Sequence, residues 1–333
     1  MSETIKNNIS LISLVTIASI SLMVMLHYMK PVLVPFVFSI FLYFIVSPAT
    51  DWIQTNLKLP RVFAVVISFF FLIAFFSVFI SILASSISGF IQSSGIYQAQ
   101  LLRLFDEVLV TLTQMGFTLD LSIIRKFLTS LPVLDWFRNV SGSIVVIIGN
   151  ILLVLIFTFF LIIGEVKQSA NSVFSGEVRQ KITRYIMVKF FTSSLTGLFV
   201  FIVLTAFRLE LASTFAVLTF LFNFIPNIGS IIALSLPIPI AFLQFGIGIP
   251  FILVIVIPGI IQFAIGNILD PKLMGASLGL HPVVVLLSLL FWGFIWGIAG
   301  LFLSVPMTAV LKLLFERSSY TQRLARLMEG SLY

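Results

Sequence analysis

LFNFIPNIGS, Leu221 to Ser230, interrupts an apolar run from Leu211 to Phe245 that contains no Asp, Glu, Lys, Arg or His. Pro226 has no amide hydrogen and its ring clashes with the preceding turn, so a helix entering this stretch is expected to break. The carbonyl of Phe222 then loses its usual partner, and the amides after the break point outward. In hydrocarbon, such groups are tolerated only where protein or a wet cavity covers them. A second half-helix starting near Ile228 turns its positive end toward that cavity. Discontinuous helices of this kind hold substrates in membrane transporters. The plainer reading is a proline kink that helps two helices pack.

Working outward, the 333-residue chain is 60% hydrophobic and 9% charged, with a mean hydropathy of +1.20. Soluble domains carry about 25% charged residues, so this composition describes a polytopic membrane protein. The formal charge of +7 does not indicate nucleic acid, because Lys and Arg fall in short connections between apolar runs, not on one basic face. Cysteine is absent, which excludes disulfides and thiolate chemistry. His27 and His281 are too far apart in the chain to suggest a metal site, and no cofactor motif occurs. There is no phosphate-binding glycine loop, no HExxH and no GxSxG, so the reading is not an enzyme.

In chain order, Ile9 to Tyr28 reads as a retained first membrane helix with no cleavage site behind it. Val32 to Val46 is a short second run, bent at Pro35 and stopped by Pro48, with a polar connection over Asp51–Arg61. A phenylalanine-rich third run covers Val62 to Ile87. Between Ser88 and Val140, Leu101, Phe105, Val108, Leu112 and Met115 recur at helical steps, marking an amphipathic element on the membrane surface. The cluster Arg103, Asp106 and Glu107 reads as a solvated helix face. A fourth helix spans Ser143–Gly164, and a fifth Phe190–Phe207. The connection between them, Glu165–Lys189, carries Lys167, Arg179, Lys181, Arg184 and Lys189, the strongest positive-inside signal in the chain. Lys312, Arg317, Arg323 and Arg326 add to it near the C-terminus. Both termini then lie on the cytoplasmic side, with the Ser88–Val140 insert outside.

The last third contains two stretches, Leu211–Phe245 and Pro282–Leu314. Each would measure about 50 Å as a straight helix against a hydrocarbon core of about 30 Å. The first is broken at Pro226–Gly229. The second is broken near Gly293, Gly297 and Gly300, with Pro306 beyond. Re-entrant hairpins and broken, tilted spans fit equally, and the matched pair suggests an internal repeat around a central site. The expected fold is therefore all-α, with about seven to eight hydrophobic segments. It divides into N-terminal membrane helices (1–87), an extracytoplasmic insert (88–140) and a transport core with a short basic tail (141–333).

Between the two stretches, QFAIGNILDPKLMGASLGLHP puts Gln262 and Asn267 at membrane depth, and Asp270 is the only acid between Glu210 and Glu316. Polar side chains within a span face the bundle interior or a water path. Asn223, Pro226, Asn227, Gly229, Gln262, Asn267, Asp270 and Pro271 are accordingly candidates for the pathway of a small polar solute. Asp270-Pro271-Lys272 reads equally as an interfacial turn. His281-Pro282 reads as a helix cap or, because histidine titrates near neutrality, as a protonation switch. Asp270 and His281 are the candidates for coupling to a proton or sodium ion. Gly293 and Gly297 form a GxxxG pair suited to close helix packing.

These motifs, FNFIPNIGSIIALSLPIPIAFLQFG and QFAIGNILDPKLMGASLGLHPVVVLLSLLFWGFIWGIAGLFLSVPMTAVLK, resemble the autoinducer-2 exporter family, also called the PerM-like permeases. The likeness is ordered over Tyr185–Lys312. Pro226, Asn227, Gly229, Asn267, Pro271, Gly275, His281 and Pro282 match its boxes. The resemblance implies a secondary transporter of the bacterial inner membrane, working as a homo-oligomer with broken-helix transport elements. Some members are assigned to export of the quorum signal and others to sodium–proton exchange. Where the family often carries an acid or an aromatic, this chain has Gly266 and Asn227, which leaves Asp270 as the nearby acid. Export of a small polar solute by alternating access is the leading expectation. A sodium (lithium)–proton antiporter and a non-transporting membrane scaffold are the alternatives.

Overall fold

A computed structural model describes residues 3–82, 84–85, 88, 144–164, 176–274 and 279–330. The amphipathic insert over 88–140, apart from Ser88, lies outside the described residues, as do Glu165, Lys167 and Gly275. The described residues are overwhelmingly helical. The helices are α1 (Glu3–Tyr28), α2 (Lys30–Asn56), α3 (Arg61–Ile82), α4 (Ile144–Ile163), α5 (Gly176–Ala206), α6 (Ala212–Phe222), α7 (Ile228–Ser235), α8 (Pro237–Phe245) and α9 (Ile249–Ala264). A π-helical segment, Ile265–Leu269, leads into α10 (Asp270–Met274). Next come α11 (Pro282–Trp296), α12 (Ile298–Arg317) and α13 (Gln322–Glu329). Six helices among the described residues are long and apolar enough to cross a membrane, and shorter apolar helices accompany them. Phe294 (87% exposed) and Phe70 (68%) exemplify large apolar side chains on the outer surface, which suit contact with lipid. The chain is an all-α, multi-pass membrane protein.

Two expected boundaries move. The second helix does not stop at Pro48. It runs from Lys30 through Pro35, Pro48 and Asp51 to Asn56. Its buried face, Phe44, Ser47, Thr50 and Ile53, continues past the proline, so packing outweighs the lost hydrogen bond. The fifth helix starts at Gly176, not Phe190. Ile182, Tyr185 and Ile186 are buried on one face, a helical stripe that the interspersed bases obscure.

The chain divides into two compact units. The first comprises Met1–Phe69, Asn150–Val188 and Met274–Tyr333. Phe44, Ile182, Tyr185, Ile186, Val305 and Leu313 form one of its cores. Trp292, Ile295, Trp296 and Leu303 form another, covered by side chains of α1 and α2. Because lipid is as apolar as leucine, helix association here rests on close packing and hydrogen bonds. Thr50 donates to Ser68 (2.8 Å), and the fully buried Thr158 lies 3.4 Å from the carbonyl of Ser39. Each such bond contributes on the order of 0.6 kcal/mol.

In this unit α11 and α12 form a helical hairpin. Gly297 (φ 65°) is its apex, and its amide donates to the carbonyl of Gly293 (2.8 Å). Gly293 and Gly300 lie inside the arms, and Pro306 is carried within α12 without breaking it. A Cβ on Gly300 would overlap the carbonyl oxygen of Trp292, and one on Gly293 would press on the Leu301 side chain. Trp292 Nε1 donates to Thr308 Oγ1 across the arms (3.2 Å). At the mouth, the His281 amide donates to the Met328 carbonyl (2.8 Å), and Lys312 pairs with Glu329 (2.6 Å) and Glu316 (3.2 Å).

The second unit, Phe70–Gly149 and Lys189–Leu273, has a core of Val200, Leu204, Leu209, Phe215, Ile240, Ala241 and Val254. Its helix α6 and the pair α7–α8 also form a hairpin. Gln244, at the end of α8, accepts from the Glu210 amide (2.9 Å) and donates to the Arg208 carbonyl (2.7 Å). The outgoing and returning chain therefore meet at one end. The hairpin form, not the single broken span, is the one adopted. At 11 residues, α6 is only about 16 Å long.

The turn itself corrects a second expectation. The Phe222 carbonyl is not orphaned, because Ile225 donates to it at 2.8 Å, and Phe224 and Gly229 donate to Leu221 and Ile225. The Ile228 amide donates to the Pro226 carbonyl (2.6 Å) around Asn227, whose φ and ψ are 59° and −54°. This is a γ-turn of the strained, left-handed kind. The expected orphaned carbonyl is thus absent at the first break, where local turn bonds take up Phe222, and at the second the Gly297 amide is bonded in the same local way. Gly229 repeats the role of Gly300, since a Cβ there would overlap the Phe222 carbonyl oxygen.

Overpacking of this kind costs about 1–3 kcal/mol or more. Gly229→Ala and Gly300→Ala are each expected to lower the melting temperature in detergent. Gly259→Ala, with open space at its Cβ, is expected to leave it unchanged or raise it. Equal melting temperatures for all three would contradict the backbone contact.

Candidate functional site

Helix α5 presents Lys189, Thr192, Ser193 and Thr196 on one buried face. The three- and four-residue spacing makes it a single stripe, and Thr196 folds back onto the Thr192 carbonyl (2.7 Å). Asn223, at the C-terminal end of α6, reaches this stripe. Its Nδ2 donates to Ser193 Oγ (3.1 Å), and its carbonyl oxygen lies 3.5 Å from Lys189 Nζ. The Lys189 ammonium is committed to Asp270, donating to Oδ2 at 2.5 Å. All of these groups belong to the second unit.

Asp270 reaches the stripe because of the π-helical segment. The buried positions of α9 are Val254, Pro258 and Gln262, four residues apart. Eight residues on, a regular α-helix would turn Asp270 by about 80° from Gln262. The π segment takes up one additional residue, so the two positions differ by only about 20°. The Asp270 amide donates to the Ile265 carbonyl, five residues back. Gln262 and Asp270 therefore share one buried face, about two turns apart.

Both carry unmatched hydrogen-bonding capacity. The amide oxygen and nitrogen of Gln262 and the Oδ1 oxygen of Asp270 are buried without a partner among the described residues. Such groups are costly unless a water, ion or ligand completes them. Because Lys189 matches Asp270, the cluster is formally neutral, and a buried pair of this type is stable only while both partners are present.

The expected pathway residues do not all converge. Asn223, Gln262 and Asp270 are buried, and Lys189 links the first to the third. Gly229 is buried in its hairpin, Pro226 is half-buried, and Asn227 is exposed at the tip. Asn267 is exposed and donates to the Phe263 carbonyl of its own helix (3.3 Å), while Pro271 is also exposed. Asp270-Pro271-Lys272 is the start of a helix, not an interfacial turn. His281 belongs to the first unit, where its Nδ1 faces the Val283 amide as a helix cap (3.4 Å). Gly293, Gly297, Gly300 and Pro306 lie in that unit too.

Lys189 is the residue that sequence reading misplaced, as a base in a loop. Its polar stripe with Thr192, Ser193 and Thr196 was visible. An isolated intramembrane acid such as Asp270 also calls for a cation.

Removing one partner of a buried pair costs about 3–5 kcal/mol, whereas replacing both by apolar groups is far less costly. Lys189→Met and Asp270→Asn are each expected to lower unfolding stability by that order. The double variant Lys189→Met/Asp270→Leu should recover most of the loss. Additive losses in the thermodynamic cycle would show that the two groups do not interact.

The profile of the AI-2E family transporter matches residues 11–319. A Haemophilus influenzae protein, provisionally named a transport protein, is 32% identical over 315 residues, covering 89% of this chain and 90% of the relative. The AI-2 transport protein TqsA of Escherichia coli is 25% identical over 316 residues, covering 91% of each. A provisionally named permease of Escherichia coli, PerM, is 29% identical over 136 residues, covering 41% of this chain and 38% of the relative. With all three matched under names for transport, and with the family profile covering nearly the whole chain, this multi-pass membrane protein belongs to the AI-2E transporter family.

Proposed function

We propose that the chain exports a small polar solute across the bacterial inner membrane by alternating access, with both termini cytoplasmic. The observation that carries this reading is the buried cluster of Lys189, Asp270, Asn223 and Ser193, together with the amide of Gln262, which has no partner among the described residues. Polar groups gathered beside an interrupted helix are the form that solute sites take in transporters. The formal neutrality of the cluster favours an uncharged, hydrogen-bonding cargo, because a charged one would leave an uncompensated charge in a low dielectric. The AI-2 signal, named for the Escherichia coli relative, is the first cargo to test. In this reading residues 88–140 form an extracytoplasmic insert, residues 1–87 and 141–333 the membrane body, and the working form is a homo-oligomer.

A second reading, a sodium (lithium)–proton antiporter, draws support from one observation: the buried Oδ1 of Asp270 has no partner among the described residues.

Flux into proteoliposomes tests the proposal. Uptake of the cargo is expected from the wild type, to fall at least about tenfold in Asp270→Asn, as loss of a buried charge-assisted contact implies, and to persist in Asn267→Ala. Rescue of lithium tolerance in an antiporter-deficient host, lost in Asp270→Asn, would favour the antiporter instead. No flux of any cargo or cation, with a stably captured protein partner, would favour a scaffold.

A further inference from the structure

The short helix α13 is two-faced. Its inner side is fastened to the mouth of the α11–α12 hairpin. Ala325 is buried (1% exposed), the Met328 carbonyl accepts from the His281 amide, and Glu329 pairs with Lys312. Gly330 (φ 84°) ends the helix against the His281 ring. Glu316 is also turned onto Lys312.

What remains on the outer side is basic and apolar. Arg323 and Arg326 are exposed, alternating with Leu324 (48% exposed) and Leu327 (50%), and Tyr320 just ahead of the helix is 94% exposed. At 100° per residue, Arg323, Leu324, Arg326 and Leu327 occupy one continuous face. Arginines along one side of such a face and leucines along the other, with an aromatic beside them, are the pattern of helices that lie in a lipid interface. Connectivity places α13 there. It follows α12, which is long and apolar enough to span a bilayer, after only Ser318–Thr321, four residues that reach about 14 Å at most.

We propose that this outer face of α13 docks on anionic lipid headgroups, and that the docking holds the clasp of His281, Lys312 and Glu329 closed on the α11–α12 hairpin. Arginines beside the membrane surface gain from negative headgroups, and the leucines next to them enter the headgroup boundary. Membrane charge thereby acts on the hairpin through the helix fastened to its mouth.

The chain has no cysteine, so Leu327→Cys supplies a unique attachment point for a polarity-sensitive fluorophore in the full-length protein. The labelled protein is placed in nanodiscs of phosphatidylcholine, with or without phosphatidylglycerol. The expected result is a blue-shifted emission with phosphatidylglycerol, reversed by high salt and abolished by Arg323→Gln/Arg326→Gln. Hydrogen exchange at the His281 amide should slow several-fold in the same discs. Identical emission in both lipids, or a shift insensitive to salt, overturns the docking. A shift confined to discs holding two copies assigns the face to a second chain and also overturns it. Docking without slower exchange at His281 overturns the link to the hairpin. Should the double arginine variant fail to fold, the salt and lipid comparisons on the singly labelled protein still decide.

Discussion

An ammonium and a carboxylate held together away from water depend on each other absolutely. Separated in a low dielectric, either would cost several kcal/mol, so the contact between Lys189 and Asp270 ties α5 to α10 wherever the two helices move. Neighbouring irregularities serve that contact. The π segment turns Asp270 inward, and the end of α6 at Asn223 brings a carbonyl and an amide to the same stripe. Regular helices at these places would separate the groups. At these two places a departure from helical regularity brings polar atoms together.

Both units contain a hairpin built by the same device. In each, the chain reverses through a positive-φ residue, Asn227 or Gly297, and a glycine two residues after the first or three after the second lies against a carbonyl of the outgoing arm. At the mouths they differ: Gln244 bonds the chain ahead of α6 directly, whereas Lys312 of α12 and the His281 amide ahead of α11 are both fastened to α13. The apexes are chemically different as well. Glycine reaches a left-handed conformation without strain. Asn227 holds a γ-turn that asparagine tolerates better than most residues but that remains costly.

Much of this was legible in the chain and some was not, for physical reasons. Pro226 announced its break because a missing amide is a local fact. The direction of the chain after the break was not local: the 35-residue, largely apolar stretch Leu211–Phe245 satisfies a tilted span and a hairpin equally, and the bonds of Gln244 distinguish them. Lys189 looked like a loop base because Arg179, Lys181 and Arg184 precede it, whereas tertiary packing of Ile182, Tyr185 and Ile186 extends the helix through all four. Asn267 and Asp270 were both pathway candidates in sequence, the second equally open to an interfacial turn. Five residues beyond Gln262, Asn267 falls about 140° from it on a regular helix and is exposed, whereas one additional residue in the π segment returns Asp270 to the buried face.

The glycine contacts have a mechanical consequence. With no side chain between them, the two arms of each hairpin touch backbone to backbone at Gly229 and Gly300, leaving no slack for one arm to slide past the other. Each tip is therefore closed by main chain alone, and any side chain larger than hydrogen at these two glycines would wedge the arms apart.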